Sequence, residues 1–591
     1  MITQRRIRFF MTSVIVLLLA GGWIFDYVQA KNDNLYESII LFNNIIKNVK
    51  EHYVEEMDSR ELVMSAIDGL RKRLDPHTAY FDEEANKSLQ VHTKGEFGGL
   101  GIQIGIRDKD LTVISPIEGT PAYKVGLQAG DKIIEIDGVP TKGISLDDAV
   151  NKLRGKKGTA VNIAIQRVGV TEILNYSIVR DIIKIKSVPF AGIIDGKIGY
   201  LKLTAFSQNT EEELAKKLQE LNGKGMESLI LDLRGNPGGL LAQAVTVSGQ
   251  FLKSGQLVVY TRGRNETQNH EYNSSEEPLL DLNKRLVVLI NEGSASASEI
   301  VAGAIQDWDR GVILGKTTFG KGSVQTIIPI TRDKDALKLT TAYYYTPSGR
   351  CINKLGNGDE EEDEEAVEDK DKNAQKSDTN QVFYTKGKRK VYGGGGITPD
   401  LEVEGLKIKK LDLVLLQQSM YFKFGIKYVA ECRKNKIRIP IDFDVDENLL
   451  NEFKEFLRTE KFKYNTNTEQ KINELKALYF MDETAVTKND SLMAQATADQ
   501  KKEITEMRQN FEKSGLKQMI DQLETVAERE KENDFYDGQE VIKLRLRMEI
   551  LGDSYGEEAN YQVAIKTDKQ ILAALDLLKN KERYNTVLSV K

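Results

Sequence analysis

The feature that most constrains the fold is an alternation of strand and helix patterns across residues 183–405. Short apolar runs predict strands, and apolar residues three and four positions apart predict helices. Thr210 and Glu213 have the spacing of a capping box that would open one helix. This alternation indicates an α/β core with a largely parallel sheet. The predicted strands are 198–203, 229–233, 286–290 and 312–314, and the predicted helices are 210–221, 240–251 and 299–308.

The segments around this core have other patterns, and a length of 591 residues suggests several domains. Residues 31–90 predict helices too short for a large core, so we expect them to pack on a neighbouring segment or on a second subunit of a homodimer. Residues 406–591 are rich in Lys and Glu and predict a helical extension for gating, dimerisation or support. Ten acidic residues between Asp359 and Asp371 cannot form a core and predict a disordered insertion at 356–390.

Residues 91–182 predict a small strand-rich module with two short helices. Thr120 before Pro121 has the pattern of an N-cap followed by proline at the first helical position. Ser145 and Asp148 predict a second helix start through a capping box.

Composition excludes several classes of function. A formal net charge of −6 gives no basic field for nucleic acid. Two cysteines, Cys351 and Cys432, are too few for a disulfide scaffold or a cysteine-rich metal site, and they leave one disulfide or two free thiols open. The four histidines are separated in sequence, which argues against a histidine zinc site. We therefore expect no metal and no organic cofactor.

The N-terminus has the pattern of an export signal. Arginines at positions 5, 6 and 8 precede an apolar run at 9–25, and small or apolar residues at 28 and 30 suit a cleavage site. The run is near the lower length limit for a membrane span, so cleavage and retention as an anchor are both open. We expect the rest of the chain to lie in the periplasm, either released or anchored to the inner membrane.

Three short segments of the core carry candidate chemistry. Residues 232–239 link a strand to a helix, so their N–H groups suit a phosphate or an oxyanion, or simply form a tight connection. Residues 293–299 place three serines before a helix, where a serine either caps the helix or acts as a nucleophile. Residues 319–325 place Lys321 between two glycines, which is also typical of a surface turn.

A serine nucleophile needs a base, and the core has no histidine close in sequence to these serines. A lysine can serve if burial lowers the pKa of its ammonium group towards neutrality. Serine–lysine variants of the catalytic triad exist. The residues alone therefore suggest that Lys321 is paired with one of the serines at 294, 296 and 298, with Gln325 available to orient the amine.

Together with the motifs at 345–350 and 397–400, these segments resemble the carboxyl-terminal processing, or tail-specific, proteases of peptidase family S41. The resemblance covers roughly residues 36–405. It implies a crotonase/Clp-like α/β serine protease core at 183–405 that carries an inserted domain. The function it implies is that of a serine endopeptidase.

The same resemblance assigns roles to individual residues. It implies that Ser296, which lies 25 positions before Lys321, is the nucleophile and that Lys321 is the general base. Gln325 matches the glutamine of the family pattern. The backbone N–H groups of Gly238 and Ala297 would bind the oxyanion.

The 91–182 module resembles a PDZ domain, and the run at 126–133 is typical of that domain. Strand 101–106 would then form the edge to which a peptide strand is added. This implies an enzyme that captures the free C-terminus of an exported protein and cleaves nearby. The residues that match the carboxylate-binding loop are Gly99, Leu100, Gly101 and Ile102.

Two alternatives belong to other classes. A catalytically silent PDZ scaffold would bind exported proteins without cleaving them, but the joint presence of Ser296, Lys321 and Gln325 argues against it. A crotonase-like acyl-CoA enzyme would share the core fold, but an export signal and a PDZ domain argue against cytosolic acyl-CoA chemistry.

Overall fold

The computed structural model describes residues 35–331, 334–354, 381–478 and 515–589. They form two compact units, one with residues up to Glu83 together with 325–340, and one with the remainder. The expected export signal and most of the acidic insertion lie outside the described residues. Within the described ranges, no helix has both the length and the apolar character needed to cross a membrane.

The first unit contains two helices and parts of three paired strands. Helix Leu35–His52 and helix Ser59–Leu74 form where the apolar spacing predicts them. No side chain in these two described helices is buried, and their apolar residues are half-buried or exposed. Strand Ala79–Phe81 pairs antiparallel with residues 336–338 of strand Ala336–Tyr345. Strand Ser323–Pro329 also pairs with Ala336–Tyr345.

The strand-rich module lies in the second unit, after helix Glu83–Lys94. Its first strand, Glu96–Gly99, pairs antiparallel with its last, Asp181–Lys184, so the chain enters and leaves the module at one place. The two predicted helices are present at Pro121–Lys124 and Leu146–Leu153. The other strands are Ile102–Arg107, Asp110–Pro116, Lys132–Ile136, Val139–Pro140, Ala160–Gln166 and Leu174–Val179.

The core of the second unit is a six-stranded sheet, which confirms the predicted α/β architecture. Its first two strands are antiparallel, and each later pair is parallel. In spatial order the strands are Phe190–Asp195, Ile198–Lys202, Ser228–Asp232, Arg285–Ile290, Val312–Gly315 and Leu401–Glu402.

Both faces of this sheet are covered, because neighbouring residues of a strand point to opposite sides. Leu229 and Leu231 belong to the apolar cluster on one face, and Ile230 belongs to the cluster on the other. The second face is covered by helices from the C-terminal end of the chain, Lys569–Lys579 and Lys581–Leu588. The helices on the first face are Thr210–Gly223, Leu241–Gly249 and Ala297–Asp307.

The capping predictions have different outcomes. The Ser145 hydroxyl accepts a hydrogen bond from the Asp148 N–H at 3.1 Å, as predicted. The predicted capping box of Thr210 and Glu213 is wrong, because the N-cap residue is Asn209, whose side chain makes no capping hydrogen bond. The Glu213 carboxylate instead accepts the N–H groups of Ser187 and Val188, at 2.8 and 3.0 Å. The donors to Glu213 therefore belong to a segment that is distant in sequence from the start of the helix.

A smaller antiparallel sheet contains strand Leu257–Gly263, which pairs with Glu271–Asn273 and with residues 342–345. Residues 382–384 and 390–392 form a hairpin, so the predicted disordered insertion extends too far at its C-terminal end. The polar composition was misleading there, because Arg389 is buried and forms ion pairs with the carboxylates of Asp309 and Asp400.

The C-terminal region is helical, as predicted, and forms a core of its own. It also contacts the strand-rich module, where Lys423 pairs with Asp108 at 2.8 Å and Arg433 donates to Gln128 at 2.8 Å. Cys351 and Cys432 are both free thiols. The remaining helices are Lys410–Gln417, Met420–Lys434, Glu447–Thr459, Asn467–Leu478, Leu516–Asp537, Gln539–Tyr555 and Glu557–Thr567.

Replacing Leu577 by Ala should destabilise the second unit, because Leu577 is fully buried against the sheet. The free energy of unfolding should fall by about 2–5 kcal/mol, measured by urea denaturation followed through Trp308 fluorescence. Leu572→Ala on the same helix is the control, since Leu572 is 45% exposed and should cost about 0.5 kcal/mol or less. Equal losses in the two variants would contradict the placement of this helix.

Candidate active site

Two loops of the core meet because their strands are neighbours. Strands Ser228–Asp232 and Arg285–Ile290 are parallel, with Asp232 opposite Leu289. Their carboxyl ends therefore lie at the same edge of the sheet, where open α/β sheets bind ligands. The turn at 232–239 and the serine loop at 291–296 follow these ends and are in direct contact.

Ser296 has an unusual backbone. It lies immediately before helix Ala297–Asp307 with φ 54° and ψ −113°, a positive φ for a residue with a side chain. Such conformations cost about 1–3 kcal/mol and cluster at functional sites, because the surrounding structure must enforce them. Ser296 is half-buried, so its side chain is open to solvent on one side.

The two neighbouring serines are structural. Ser294 and Ser298 are fully buried. The Ser294 hydroxyl donates to the Leu233 carbonyl and the Ser298 hydroxyl to the Asn236 carbonyl, each at 2.9 Å. The Ser294 hydroxyl therefore fastens the serine loop to the turn at 232–239, and the Ser298 hydroxyl fastens the first turn of helix Ala297–Asp307 to it.

The buried carboxylate of Glu299 joins the serine loop to the lysine segment. Its Oε2 accepts the backbone N–H groups of Ser296 and Lys321, at 2.8 and 2.9 Å. Its Oε1 accepts the Thr318 hydroxyl at 2.6 Å and the Gly320 N–H at 2.8 Å. Since one oxygen binds both N–H groups, the backbones of Ser296 and Lys321 are held side by side.

Tyr344 supports the same junction from another side. Its hydroxyl lies within hydrogen-bond distance of the backbone carbonyls of Ser296 and Lys321. Burial raises the pKa of Tyr344 well above its ordinary value, so it stays a neutral donor. Burial also raises the pKa of Glu299, and its four donors counteract part of this shift.

Gly238 lies directly against Ser296. A Cβ atom at Gly238, where φ is +99°, would be 2.8 Å from the Ser296 Cβ and 2.8 Å from the Ala297 nitrogen. Only glycine fits this contact. The Gly238 N–H, expected to be an oxyanion donor, here donates to the Asn236 side chain at 2.9 Å.

Asn236 couples the turn to the serine loop. Its backbone carbonyl accepts the Ala295 N–H at 3.0 Å and the Ser298 hydroxyl at 2.9 Å. Its side-chain amide donates to the Leu203 carbonyl at 3.0 Å. A shift of the turn would therefore displace the backbone on both sides of Ser296.

The beginning of the turn is fixed by a buried charge cluster. The Asp232 carboxylate accepts from Arg234, from Lys202 at 3.1 Å and from the Tyr200 hydroxyl at 2.7 Å. Burial alone raises the pKa of Asp232, but the charges of Lys202 and Arg234 outweigh it and hold the pKa below its ordinary value. Asp232 is thus a permanent anion that holds the turn.

Gln325 belongs to the first unit. It lies on strand Ser323–Pro329, and its side-chain nitrogen is 3.4 Å from the Thr340 hydroxyl. The Thr340 hydroxyl in turn donates to Asp75 at 3.2 Å. Among the described residues, no group of three or more His, Cys, Asp or Glu side chains is placed to hold a metal ion.

The loop at 99–102 of the strand-rich module is shaped by Gly101. Its φ is +79°, and a Cβ there would lie 2.3 Å from the Thr120 side chain. The Gly101 carbonyl accepts the Ile117 N–H at 2.9 Å and the Thr120 hydroxyl at 3.1 Å. The loop leads into strand Ile102–Arg107, which lies at the edge of its sheet within the described module.

Comparison with known proteins places these segments in families. The model of peptidase family S41 matches residues 197–360, and a PDZ domain model matches residues 112–167. The model named "Probable PDZ-protease, C-terminal helical domain" matches residues 411–514 and 486–578. Along the chain, the three matches fall on the strand-rich module, the core and the helical region.

A carboxy-terminal-processing protease of Bartonella bacilliformis is 43% identical over 356 residues, which are 60% of this chain and 81% of the relative. The chain belongs to peptidase family S41. The carboxyl-terminal-processing protease of Synechocystis is 38% identical, over 52% of this chain and 73% of the relative. The photosystem II D1 C-terminal processing protease structure is 27% identical with a TM-score of 0.32, over 62% of this chain and 92% of that one.

The fold class is thereby confirmed as an S41 protease core with a PDZ domain and a helical C-terminal region. The family motifs at 345–350 and 397–400 contact the helix that follows Ser296 and the Thr318 hydroxyl. Arg350 is fully buried and pairs with Asp307 at 2.8 Å, at the end of the helix that Ser296 precedes. The Ile397 N–H donates to the Thr318 hydroxyl at 2.6 Å, and Thr318 in turn donates to Glu299.

Sequence reasoning missed Glu299, Thr318 and Tyr344. Glu299 is three residues after Ser296 in the 293–299 motif, which is the spacing of a capping box, so a signal was present. Tyr344 gave no such signal, because only the fold brings its hydroxyl to the junction.

In this S41 protease, Glu299→Gln should reduce proteolysis at least tenfold. Whichever way the amide turns, its NH₂ group faces two donors, which lose their acceptor. Each unsatisfied buried group costs about 1–3 kcal/mol, so thermal stability should fall as well. The assay is cleavage of fluorescein-labelled casein at a temperature where the variant is folded.

Glu213→Gln is the matched control, since the Glu213 carboxylate also accepts two backbone N–H groups but lies elsewhere in the core. That variant should lose stability and keep its activity. If both variants cleave casein equally well, Glu299 only supports the fold.

Proposed function

We propose that this chain is a serine endopeptidase with a Ser296–Lys321 dyad that cleaves exported proteins near their C-terminal end. The observation that carries the proposal is the shared oxygen of Glu299, which accepts the N–H groups of Ser296 and Lys321. A nucleophile and its base must be close, and this carboxylate holds their backbones together.

The choice of Ser296 among the three serines is supported by burial and hydrogen bonding. The hydroxyls of Ser294 and Ser298 are buried and engaged with carbonyls. Ser296 has a strained backbone and partial exposure, as a nucleophile at a sharp turn before a helix requires.

The proposed reaction needs no group from outside the chain other than water. The Ser296 hydroxyl attacks the peptide carbonyl carbon while its proton passes to the neutral amine of Lys321. The ammonium then gives that proton to the leaving amine as the C–N bond breaks. Water then attacks the acyl-enzyme carbonyl as the same lysine takes a proton from it, and the lysine returns that proton to the Ser296 oxygen as the ester bond breaks. Gln325 is proposed to orient the amine.

The oxyanion would be bound by the N–H groups of Ala297 and Gly238. The Ala297 N–H lies at the N-terminus of helix Ala297–Asp307, where the helix dipole favours negative charge. Because the Gly238 N–H donates to the Asn236 side chain in this structure, its use requires this one hydrogen bond to be exchanged for a bond to the oxyanion.

Substrate recognition is assigned to the PDZ domain. The Gly99, Leu100, Gly101 and Ile102 loop would bind a free C-terminal carboxylate, and strand Ile102–Arg107 would accept the peptide as an added strand. The apolar terminal side chain of the peptide is proposed to lie in a pocket beside this loop. The pattern at residues 5–30 supports action in the periplasm, with or without an inner-membrane anchor.

Ser296→Ala and Lys321→Arg should each lower the casein cleavage rate by at least about 10³-fold, because one lacks the nucleophile and the other keeps its proton. Gln325→Ala should lower kcat more than it raises KM. Circular dichroism should show an unchanged fold in all three.

The controls are Ser294→Ala and Ser298→Ala, which lose one buried hydrogen bond each, at a cost of about 1 kcal/mol, and should keep most of the activity. An active Lys321→Arg enzyme would contradict the proposed Ser296–Lys321 dyad. An active Ser296→Ala enzyme with an inactive Ser294→Ala or Ser298→Ala would move the nucleophile. If the parent protein binds peptides but does not cleave them, the chain is a catalytically silent PDZ scaffold.

A peptide with a free, apolar C-terminus should bind the Ser296→Ala protein about tenfold more tightly than its C-terminal amide. Hydrogen bonds to a charged acceptor are roughly twice as strong as neutral ones. Fluorescence polarisation of the labelled peptides measures the two dissociation constants. Equal affinities for the acid and the amide would contradict recognition through residues 99–102.

A further inference from the structure

The C-terminal helical region reaches the 232–239 turn as well as the far face of the sheet. Helix Lys569–Lys579 starts at Asp568, whose Oδ1 caps it by accepting the N–H groups of Gln570 and Ile571, at 2.9 and 3.1 Å. The other carboxylate oxygen, Oδ2, accepts from Arg234 Nη1 at 2.8 Å. The same Nη1 also donates to Gln570 Oε1 at 2.7 Å.

Arg234 therefore bridges two anchors. Its Nε and Nη2 donate to Asp232, at 3.0 and 2.6 Å, and its Nη1 donates to Asp568 of the C-terminal helical region. Gln570 is itself fixed, since it is 3% exposed and its Nε2 donates to the Val403 carbonyl at 2.7 Å. We call Asp568 and Gln570 the tail clasp.

A short series of contacts connects the tail clasp to Ser296, the proposed nucleophile. Arg234 and Asn236 belong to the same tight turn, and Asn236 accepts from both Ala295 and Ser298, which flank Ser296. Gly238, at the far end of the turn, is in contact with Ser296. The position of this turn thus fixes both the Ser296 backbone and the proposed oxyanion donor.

We propose that Asp568 and Gln570 are positioning residues of the active site, which hold Arg234 and thereby keep the 232–239 turn in register with Ser296. This rests on the proposed role of Ser296 as nucleophile. The helical region is then a working part of the protease, in addition to covering the sheet. The clasp acts on the chemical step, since neither residue belongs to the PDZ domain that is proposed to bind substrate.

The test is the double variant Asp568→Asn/Gln570→Met in the full-length chain. Asn keeps an oxygen for capping the helix but loses the charge, and Met fills the space of Gln without an acceptor. A displacement of about 1 Å at a catalytic centre can cost up to about 10²-fold in rate. We expect kcat on fluorescein-labelled casein to fall about tenfold with KM changed less than about twofold.

A fluorophosphonate probe separates the chemical step from stability. It labels the serine nucleophile with loss of fluoride, and its phosphonyl oxygen occupies the oxyanion position. In the double variant, the maximal labelling rate should fall about as far as kcat, while the total labelled fraction stays that of the parent. A purely structural role would instead lower the labelled fraction or the melting temperature and leave the rate per active site unchanged.

Two further variants sharpen the result. Gln570→Glu keeps an acceptor for Arg234 and loses the donor to Val403, so it should keep kcat within about threefold of the parent. Lys579→Met is the matched control, because Lys579 forms an ion pair with Asp195 at 2.5 Å at the other end of the same helix, away from the turn. It should leave kcat unchanged.

The proposal is overturned if the double variant has the same kcat and labelling rate per active site as Lys579→Met. Should the double variant not fold, the single Asp568→Asn chain is measured instead, and an unchanged kcat there overturns the proposal equally. A Ser296→Ala chain that still cleaves casein would contradict the proposed role of Ser296 as nucleophile. That result does not depend on the clasp variants.

Discussion

The carboxylate of Glu299 is the contact on which the rest of the site depends. A buried anion is costly unless it is surrounded by donors, and here four donors converge on it. They come from the serine loop and from Thr318, Gly320 and Lys321. The need to satisfy one charge thus brings together segments 22 residues apart. The same requirement holds Ser296 in a backbone conformation that it would not adopt in isolation.

The parallel sheet supplies the other constraint. Its register places Asp232 opposite Leu289, so the turn at 232–239 and the serine loop leave the sheet at the same edge. Hydrogen bonds join the two loops, because the Leu233 carbonyl accepts the Ser294 hydroxyl and the Asn236 carbonyl accepts the Ala295 N–H. The sheet itself is buried on both faces, and the second face is covered by helices from the end of the chain. Folding of the protease core and of the C-terminal region are therefore coupled.

Much of the core could be predicted from the sequence. Strand and helix periodicities are local signals, and the strands at 228–232, 285–290 and 312–315 appear within a residue or two of their expected positions. The cap at Ser145 was predictable because its partner is three residues away. Glu213 has the same local spacing, yet its carboxylate is taken by Ser187 and Val188. Arg389 lies in the segment that polar composition predicts to be disordered, and no local pattern reveals its ion pairs with Asp309 and Asp400.

The sequence by itself determined the α/β class, the strand-rich module, the helical tail and the three short segments with their serines and lysine. These follow from composition and from spacings of a few residues, which the chain carries locally. The tertiary structure alone decided that Ser294 and Ser298 are buried, that Glu299 joins two segments, and that Asp568 reaches Arg234 across 334 positions. Such contacts depend on which faces pack and which buried charges find partners, and no local pattern encodes that choice.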